Sequence, residues 1–265
     1  MSLALNSLSE KRILVAGACG YIGKATCQTL ADLGAHVVCA DLDQAKCEEF
    51  ANRLNEQQNK IHCAKGCDFT NPEDVSCLAA FCQQTGGLNA IVHCIGLTSR
   101  ESLSGYALPL DQQSIESWSK ALEVNLTSAF SLAKSFEGLL MAEEGSSFVM
   151  ISSIYGVSGP RTEMYDGLEN MWNPCAYGAS KGGMIQLMRY LAVEWAPKIR
   201  VNCVSPGGVA ELQPELFVER YIKNTPLRRM ANPQEIADPI AFLISDGASY
   251  ITGQNLIIDG GWTIW

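Results

Sequence analysis

Residues 12–23 read RILVAGACGYIG, and residues 36–41 read HVVCAD. A short apolar run, Arg12–Ala16, ends in a turn with glycines at positions 17, 20 and 23, and a helix-period pattern follows over Tyr21–Leu33. A strand that breaks on closely spaced glycines and opens a helix lets the backbone approach a pyrophosphate, whose charge then faces the helix N-terminus. The glycine spacing alone is a weak signal, because glycine also serves ordinary turns. Its context gives it weight: strand before, helix after, and the carboxylate Asp41 at the end of the next apolar run. That carboxylate can hydrogen-bond both ribose hydroxyls of a dinucleotide and repels a 2′-phosphate. Neither the turn nor the position after Asp41 supplies an Arg or Lys, so the two segments predict a site for NAD rather than NADP. Asp43 reads as the cap of a helix starting at Gln44.

Outward from this unit the alternation continues. Arg12–Ala16, His36–Ala40, Ile61–Ala64, Asn89–Cys94, Ser147–Ser152, Arg200–Val204 and Asn255–Ile258 read as strands. Tyr21–Leu33, Gln44–Gln57, Pro72–Gln84, Ile115–Ala142, Pro174–Trp195 and Pro233–Asp246 carry helical periodicity between them. Apolar strands separated by helices imply a parallel sheet buried on both faces, and right-handed crossovers make it doubly wound. The expected fold class is α/β: one Rossmann-like domain over residues 1–265, with about seven strands and helices on both faces. Two stretches break the rhythm, 156–173 and 207–225, the second with a weakly helical middle at Glu215–Lys223. Both follow presumed strand C-termini, where this fold binds ligands, and are expected to contact substrate.

Composition narrows the function classes. The 265 residues are 47% hydrophobic and 18% charged, enough for one substantial core. A net charge of −9 lacks the footprint of a nucleic-acid binder. No apolar run approaches the roughly 20 residues that span a bilayer. Met1 to Glu10 has no basic flank or apolar stretch of a secretory signal, so a cytoplasmic protein without membrane association is expected. The 11 cysteines form no CxxC pair and no zinc-ligand spacing, and are expected to be reduced thiols with no metal site.

Tyr177 and Lys181 stand four apart in a segment that reads as helical, which places both side chains on one face. A phenol has an ordinary pKa of about 10 and needs a nearby cation to act as a base near neutrality. Ser152 and Ser153 follow an apolar strand at its presumed C-terminal end, where a hydroxyl can donate to a substrate carbonyl as negative charge develops on it. Asn125 falls inside a helical pattern, an unfavourable place for Asn unless its amide has another task.

The glycine turn, Asp41, Cys67-Asp68-Phe69-Thr70, Asn125 in EVNLTSAF, Ser152-Ser153, Tyr177-Gly-Ala-Ser-Lys181, RVNCVSPGGV and SYITGQNLIIDGGW together resemble the short-chain dehydrogenase/reductase family, from about Lys11 to Trp262 and in the family's order. The resemblance implies hydride transfer between a nicotinamide and a secondary alcohol or ketone. It implies Tyr177 as the proton-transferring group and Lys181 as its cationic partner and holder of the nicotinamide ribose. Ser153 is implied as the oxygen-positioning hydroxyl, favoured over Ser152 by the Ser-Ser-x-x-Gly pattern ending at Gly156. Asn125 is implied to hold a water that relays protons to Lys181. Cofactor contacts are implied for Gly17, Cys19, Gly20, Tyr21, Ile22, Gly23, Asp41, Leu42, Asp68, Phe69, Cys94, Ile95, Gly96, Tyr177, Lys181, Pro206, Gly207 and Val209, with Asp68 and the Phe69 backbone framing the adenine. Subunit interfaces at the family's C-terminal ends imply a homo-oligomer, tetramer or dimer, here through Tyr250–Trp265.

The departures carry their own expectations. His93-Cys-Ile-Gly96 stands where the compact branch has Asn-Asn-Ala-Gly, and His93 is expected at the end of a central strand without a catalytic part. Glu211 stands where the family often has Thr, and is expected to point away from a pyrophosphate. Ser153 and Tyr177 lie farther apart than is usual, and the extra residues include Arg161, Glu163, Tyr165, Asp166, Glu169 and Trp172. Such a polar and aromatic segment suits a sugar or other polyhydroxylated small molecule, and with the GGWTxW ending it is similar to members of bacterial surface-sugar and flagellin-modification pathways. Two other readings stay open: a 3-oxoacyl-[acyl-carrier-protein] reductase, which normally uses NADP and so sits poorly with Asp41, and a non-catalytic dinucleotide-binding regulator.

Overall fold

A computed structural model describes residues 8–58, 61–98, 103–168 and 171–265. Seven strands form one parallel sheet: β1 Arg12–Ala16, β2 His36–Asp41, β3 Cys63–Gly66, β4 Ala90–His93, β5 Ser146–Ile151, β6 Ile199–Pro206 and β7 Asn255–Ile258. Their spatial order is β3-β2-β1-β4-β5-β6-β7. The winding reverses between β1 and β4, which opens a crevice outside their C-terminal ends.

The helices are α1 Tyr21–Asp32, α2 Gln44–Gln58, α3 Pro72–Gln84, α4 Ile115–Leu122, α5 Ser128–Met141, α6 Cys175–Glu194, α7 Glu215–Lys223 and α8 Gln234–Ile244. Alternate strand residues feed two cores. Leu14, Val38, Ile91, Phe148 and Val201 pack on one face with side chains of α3, α5 and α6. Ile13, Val37, Val92, Val149 and Val204 pack on the other with α1, α2 and α8. Because both faces are covered, the strands are continuous apolar runs rather than alternating ones.

The structure corrects two expected elements. The third strand starts at Cys63, not Ile61. The His62 amide donates to Asn55 Oδ1 (2.6 Å), His62 Nδ1 accepts from the Val37 amide (3.1 Å), and ladder pairing begins only at Val38 opposite Cys63. The expected single helix over Ile115–Ala142 is interrupted by a π-helical turn, Glu123–Thr127, with Asn125 inside it.

The segments expected as open loops are built into a third, smaller core. Ile154, Met164 and Tyr165 pack with Phe217 and Tyr221 of α7, Met230 and Trp262. The rings form a chain: Trp172–Tyr165 at 6.0 Å between centroids, Tyr165–Phe217 at 5.8 Å, Phe217–Tyr221 at 6.0 Å, Tyr221–Trp262 at 6.3 Å and Trp262–Tyr155 at 6.0 Å. Offset and edge contacts of this kind add to simple area burial. Glu169 lies outside the described residues.

Candidate active site

The crevice deepens into a cavity of about 450 Å³ that runs from the glycine turn to the small aromatic core. At its nucleotide end Gly17 has φ +85°, a conformation few other residues adopt, and its amide donates to Ala40 O of β2 (2.8 Å). A Cβ on Gly23 would collide with the Gly17 carbonyl, so only glycine lets α1 start this close to β1. Gly20 is the N-cap of α1, no side chain caps its first amides, and its first turn holds no acidic residue. An uncapped, uncharged helix start facing a cavity suits a bound anion.

Asp41 ends β2 beside this turn. One carboxylate oxygen accepts from the Cys19 amide (2.9 Å) and the other from the Leu42 amide (2.7 Å), which fixes the group at the sheet edge. The only cation close along the chain, Lys46, pairs with Asp43 (3.2 Å), and Asp43 caps α2 through the Lys46 amide (3.1 Å), as its position in the sequence predicts. Gly20, Tyr21, Ile22, Gly23, Cys94, Ile95, Gly96, Pro206, Gly207 and Val209 all line the cavity. Gly17, Cys19, Asp41, Leu42, Asp68 and Phe69 are not among its lining residues. Asp68 accepts from Thr70 (2.7 Å from its hydroxyl) and so has a lowered pKa, while the Phe69 ring turns into the core. Leu42 is largely exposed. Glu211, expected to turn away, lines the cavity with Val209 and Gln213, at a solvent-exposed position.

At the other end Ser153, Tyr177 and Lys181 converge on one wall. Ser153 follows β5, and its hydroxyl accepts from the Tyr155 amide (3.2 Å) to start a 3-10 turn. Its neighbour Ser152 also lines the cavity, but its hydroxyl donates to Lys181 O (2.8 Å), so its hydrogen is spent on bracing α6. Lys181 Nζ donates to Ile151 O (2.7 Å) and lies 5.8 Å from the centre of the Tyr177 ring. Burial lowers the Lys181 pKa to about 8, which still leaves it mostly protonated near neutrality. The phenol of Tyr177 is pushed up by burial, and a hydrogen bond with Ser153 works against that rise. Among this chain's own groups, burial outweighs the Ser153 hydrogen bond, so the phenol sits above its ordinary value.

Asn125 is fully buried and touches none of these three side chains through a hydrogen bond. Its Oδ1 accepts from the Leu97 amide (2.6 Å), and its Nδ2 donates to Ser180 Oγ (3.1 Å), whose hydroxyl donates to Tyr177 O (2.8 Å). The amide thereby ties the exit of β4 to the helix that bears Tyr177 and Lys181. His93 explains the π turn. With Ser128 N–H diverted to Glu123 O, the carbonyl of Val124 is satisfied by the Ser128 hydroxyl (2.6 Å), and His93 Nε2 donates to that hydroxyl (2.8 Å). A hydroxyl already spent on a carbonyl can only accept, so His93 is the neutral Nε2–H tautomer. Its pKa is held down to about 3 by burial, with the Lys181 charge adding to the effect. His93 ends a central strand as expected, and its part is to brace the turn carrying Asn125.

Sequence reasoning missed most of the substrate end, where Tyr155, Met171, Asn173, Phe217, Tyr221 and Met230 line the cavity. Tyr155 and the helical pattern of α7 were the signals available. Arg161 of the inserted segment does not line the cavity: it bonds Asn224 and Trp265 O and stacks over Trp262 at 4.9 Å. Among the described residues no cluster of His, Cys, Asp or Glu could hold a metal ion, and no helix is long and apolar enough to cross a membrane.

A family model described as Enoyl-(Acyl carrier protein) reductase matches residues 17–263. A tropinone reductase homolog of Arabidopsis thaliana is 34% identical over 269 residues, covering 97% of this chain and 94% of its own. Galactitol 2-dehydrogenase (L-tagatose-forming) of Cereibacter sphaeroides is 30% identical over 259 residues, covering 95% and 94%. The crystal structure of a 3-oxoacyl-[acyl-carrier protein] reductase with bound NAD from Brucella melitensis superposes with a TM-score of 0.83 at 27% identity, covering 98% of this chain and 94% of that one.

Proposed function

The chain belongs to the short-chain dehydrogenase/reductase family, an oxidoreductase family acting on CH–OH groups, and we propose that it interconverts a secondary alcohol and its ketone with NAD, on a sugar or other polyhydroxylated small molecule. The observation that carries this reading is the convergence of Ser153, Tyr177 and Lys181 on one cavity wall, facing an uncapped helix N-terminus along the same cavity. Bound NAD supplies the hydride acceptor for oxidation, and its reduced form the donor for reduction. Asp41 would hold the adenosine ribose and disfavour a 2′-phosphate. The glycine turn and the start of α1 would hold the pyrophosphate, and Lys181 the second ribose.

In oxidation Tyr177 Oη takes the proton of the substrate hydroxyl while Ser153 Oγ donates to the same oxygen and fixes its position. The two electrons leave with the hydride, and the proton passes from Tyr177 toward solvent past Lys181 and Asn125. Reduction runs these transfers backward. Since burial by itself keeps the phenol protonated, positive charge beside it, from Lys181 and from oxidised cofactor, is what brings it into the working range. The residues act as one catalytic unit within 1–265, in the cytoplasm.

The test is NADH formation from NAD across sugars, sugar phosphates, polyols and simple secondary alcohols, with NADP and Tyr177→Phe in parallel. Removing the proton-transferring group is expected to cut turnover by about 10²–10⁴-fold while NADH binding persists. Turnover that survives in the variant would overturn the role given to Tyr177. The family model's description and the Brucella neighbour support a second reading, a 3-oxoacyl-[acyl-carrier-protein] reductase. An acyl thioester in the same assay separates the two, and NADH binding without any turnover would leave the regulator.

Association into a homo-oligomer, tetramer or dimer, is part of the same proposal. Strand β7 leaves Leu256 and Ile257 each 40% exposed at the sheet edge, and Phe130 of α5 with Tyr190 and Val193 of α6 add further exposed apolar side chains. Trp262 belongs to the chain's own core, so the C-terminal contribution to an interface falls on Tyr250, β7, Ile264 and Trp265, which are exposed. Light scattering that finds a monomer would overturn this.

A further inference from the structure

The substrate end of the cavity holds a hydrogen-bonding group that hydride transfer does not use. Tyr155, Tyr165 and Asn173 line the same cavity as Ser153 and Tyr177. Tyr155 Oη lies 2.8 Å from Tyr165 Oη, and Asn173 Nδ2 donates to Tyr165 Oη over 3.5 Å. Two phenols and one carboxamide bring two hydroxyl and two amide hydrogens. The contacts among the three use only two of them. Whichever phenol donates to the other, donor hydrogens are left over.

The group is also held rigid. The Tyr165 ring is clamped between Trp172 and Phe217, and the Tyr155 ring meets Trp262 edge-on. Burial raises the pKa of both phenols, so they remain donors across the neutral range. A fixed, partly desolvated donor with no acceptor of its own discriminates strongly for a ligand that supplies one. The surrounding walls include Phe217, Tyr221, Met171 and Met230, which suit the C–H edges of a compact carbon skeleton.

We infer that Tyr155, Tyr165 and Asn173 form a second oxygen-recognising site, so that the substrate carries a second hydroxyl or carbonyl beyond the one that reacts. The substrate class is then a diol, a hydroxyketone or a ring bearing such groups, not a mono-alcohol. This rests on the proposed dehydrogenase reading of Ser153 and Tyr177. It goes beyond that reading by assigning the second oxygen to particular side chains of the inserted segment.

The experiment compares cyclohexanol with the cyclohexane-1,2-, 1,3- and 1,4-diols in the wild type, Tyr165→Phe and Tyr155→Phe. It reads NAD-linked kcat/KM and, separately, saturation-transfer NMR binding to the NADH-loaded enzyme. Each substitution keeps the ring, and a thermal melt of each variant checks the fold. The wild type is expected to prefer at least one diol over cyclohexanol tenfold or more in kcat/KM, and either variant to lose most of that preference. Turnover of diol and mono-alcohol at equal efficiency, or a preference unmoved by both variants, would overturn the inference and leave the dehydrogenase reading standing. Diol binding that weakens in Tyr165→Phe, with no turnover of any alcohol, would remove the dehydrogenase reading and keep the second site. Neither turnover nor preferential diol binding would overturn it as well.

Discussion

The two ends of the cavity are built on different principles. At the nucleotide end the candidate groups are mostly main chain, the amides of the glycine turn and the uncapped start of α1, and the one side chain among them, the Asp41 carboxylate, is pinned by the Cys19 and Leu42 amides. At the substrate end they are side chains, carried by the segment 156–173, by α7 and by Trp262, and joined in a chain of rings. Backbone recognition depends on spacing and on the absence of a side chain, so it tolerates little variation. Side-chain recognition depends on which residues meet, so the same scaffold can present another surface by changing a loop.

The contrast can be broken most severely at Gly23. Gly23→Ala forces a Cβ into the Gly17 carbonyl, and overpacking against backbone costs about 1–3 kcal/mol. NADH affinity, read by fluorescence titration, is expected to fall on the order of tenfold or more, with a lower melting temperature. Diol recognition measured at saturating NADH should be little changed. Unaltered NADH affinity would mean that the turn does not set the cofactor site.

Arg161→Ala probes the other end. It removes the stacking on Trp262 and the bonds to Asn224 and Trp265, at an expected cost of about 1–2 kcal/mol in urea unfolding. Its kinetic signature should be a raised KM for the alcohol with NADH affinity retained. If NADH binding weakened in parallel, the two ends would not be separable.

A third test is a pH dependence. Lys181 has a pKa of about 8 in the fold against an ordinary 10.5. Below about 8 the folded and unfolded chains both carry this proton, and the cost of burying the charge is felt in full. Between the two values the unfolded chain binds more protons, so stability rises with pH. Relative to Lys181→Met, which carries the same tyrosines, the wild type should therefore gain stability from about pH 8 up to about pH 10.5, where the unfolded lysine also loses its proton. Urea melts across that range check the slope, and a falling difference would contradict the burial of a charged Lys181.

The expected strands and helices match the fold wherever local pattern and tertiary demand coincide, as in β1, α1 and β2. They fail where a side chain takes over a backbone partner. Asn55 and His62 delay β3 by satisfying groups that the ladder would otherwise use. Ser128 and His93 stabilise a π turn that helical periodicity cannot reveal, because the residues on either side keep their helical pattern. Arg161 was legible as a charge in a loop but not as a bond to the chain end, since its partners lie 63 and 104 residues away.

The amino-acid sequence by itself determined the parallel sheet, the glycine turn with Asp41, and the candidate set Asn125, Ser153, Tyr177 and Lys181, because each is written in short-range spacing or in a motif that one strand, turn or helix can carry. Only the tertiary structure decided that the Ser152 hydroxyl is spent on Lys181 O, what Asn125 and His93 hold, and how Tyr155, Tyr165, Asn173 and α7 close the far end of the cavity. Those contacts join residues far apart in the chain, and it is packing of the folded core, not local propensity, that selects which of them meet.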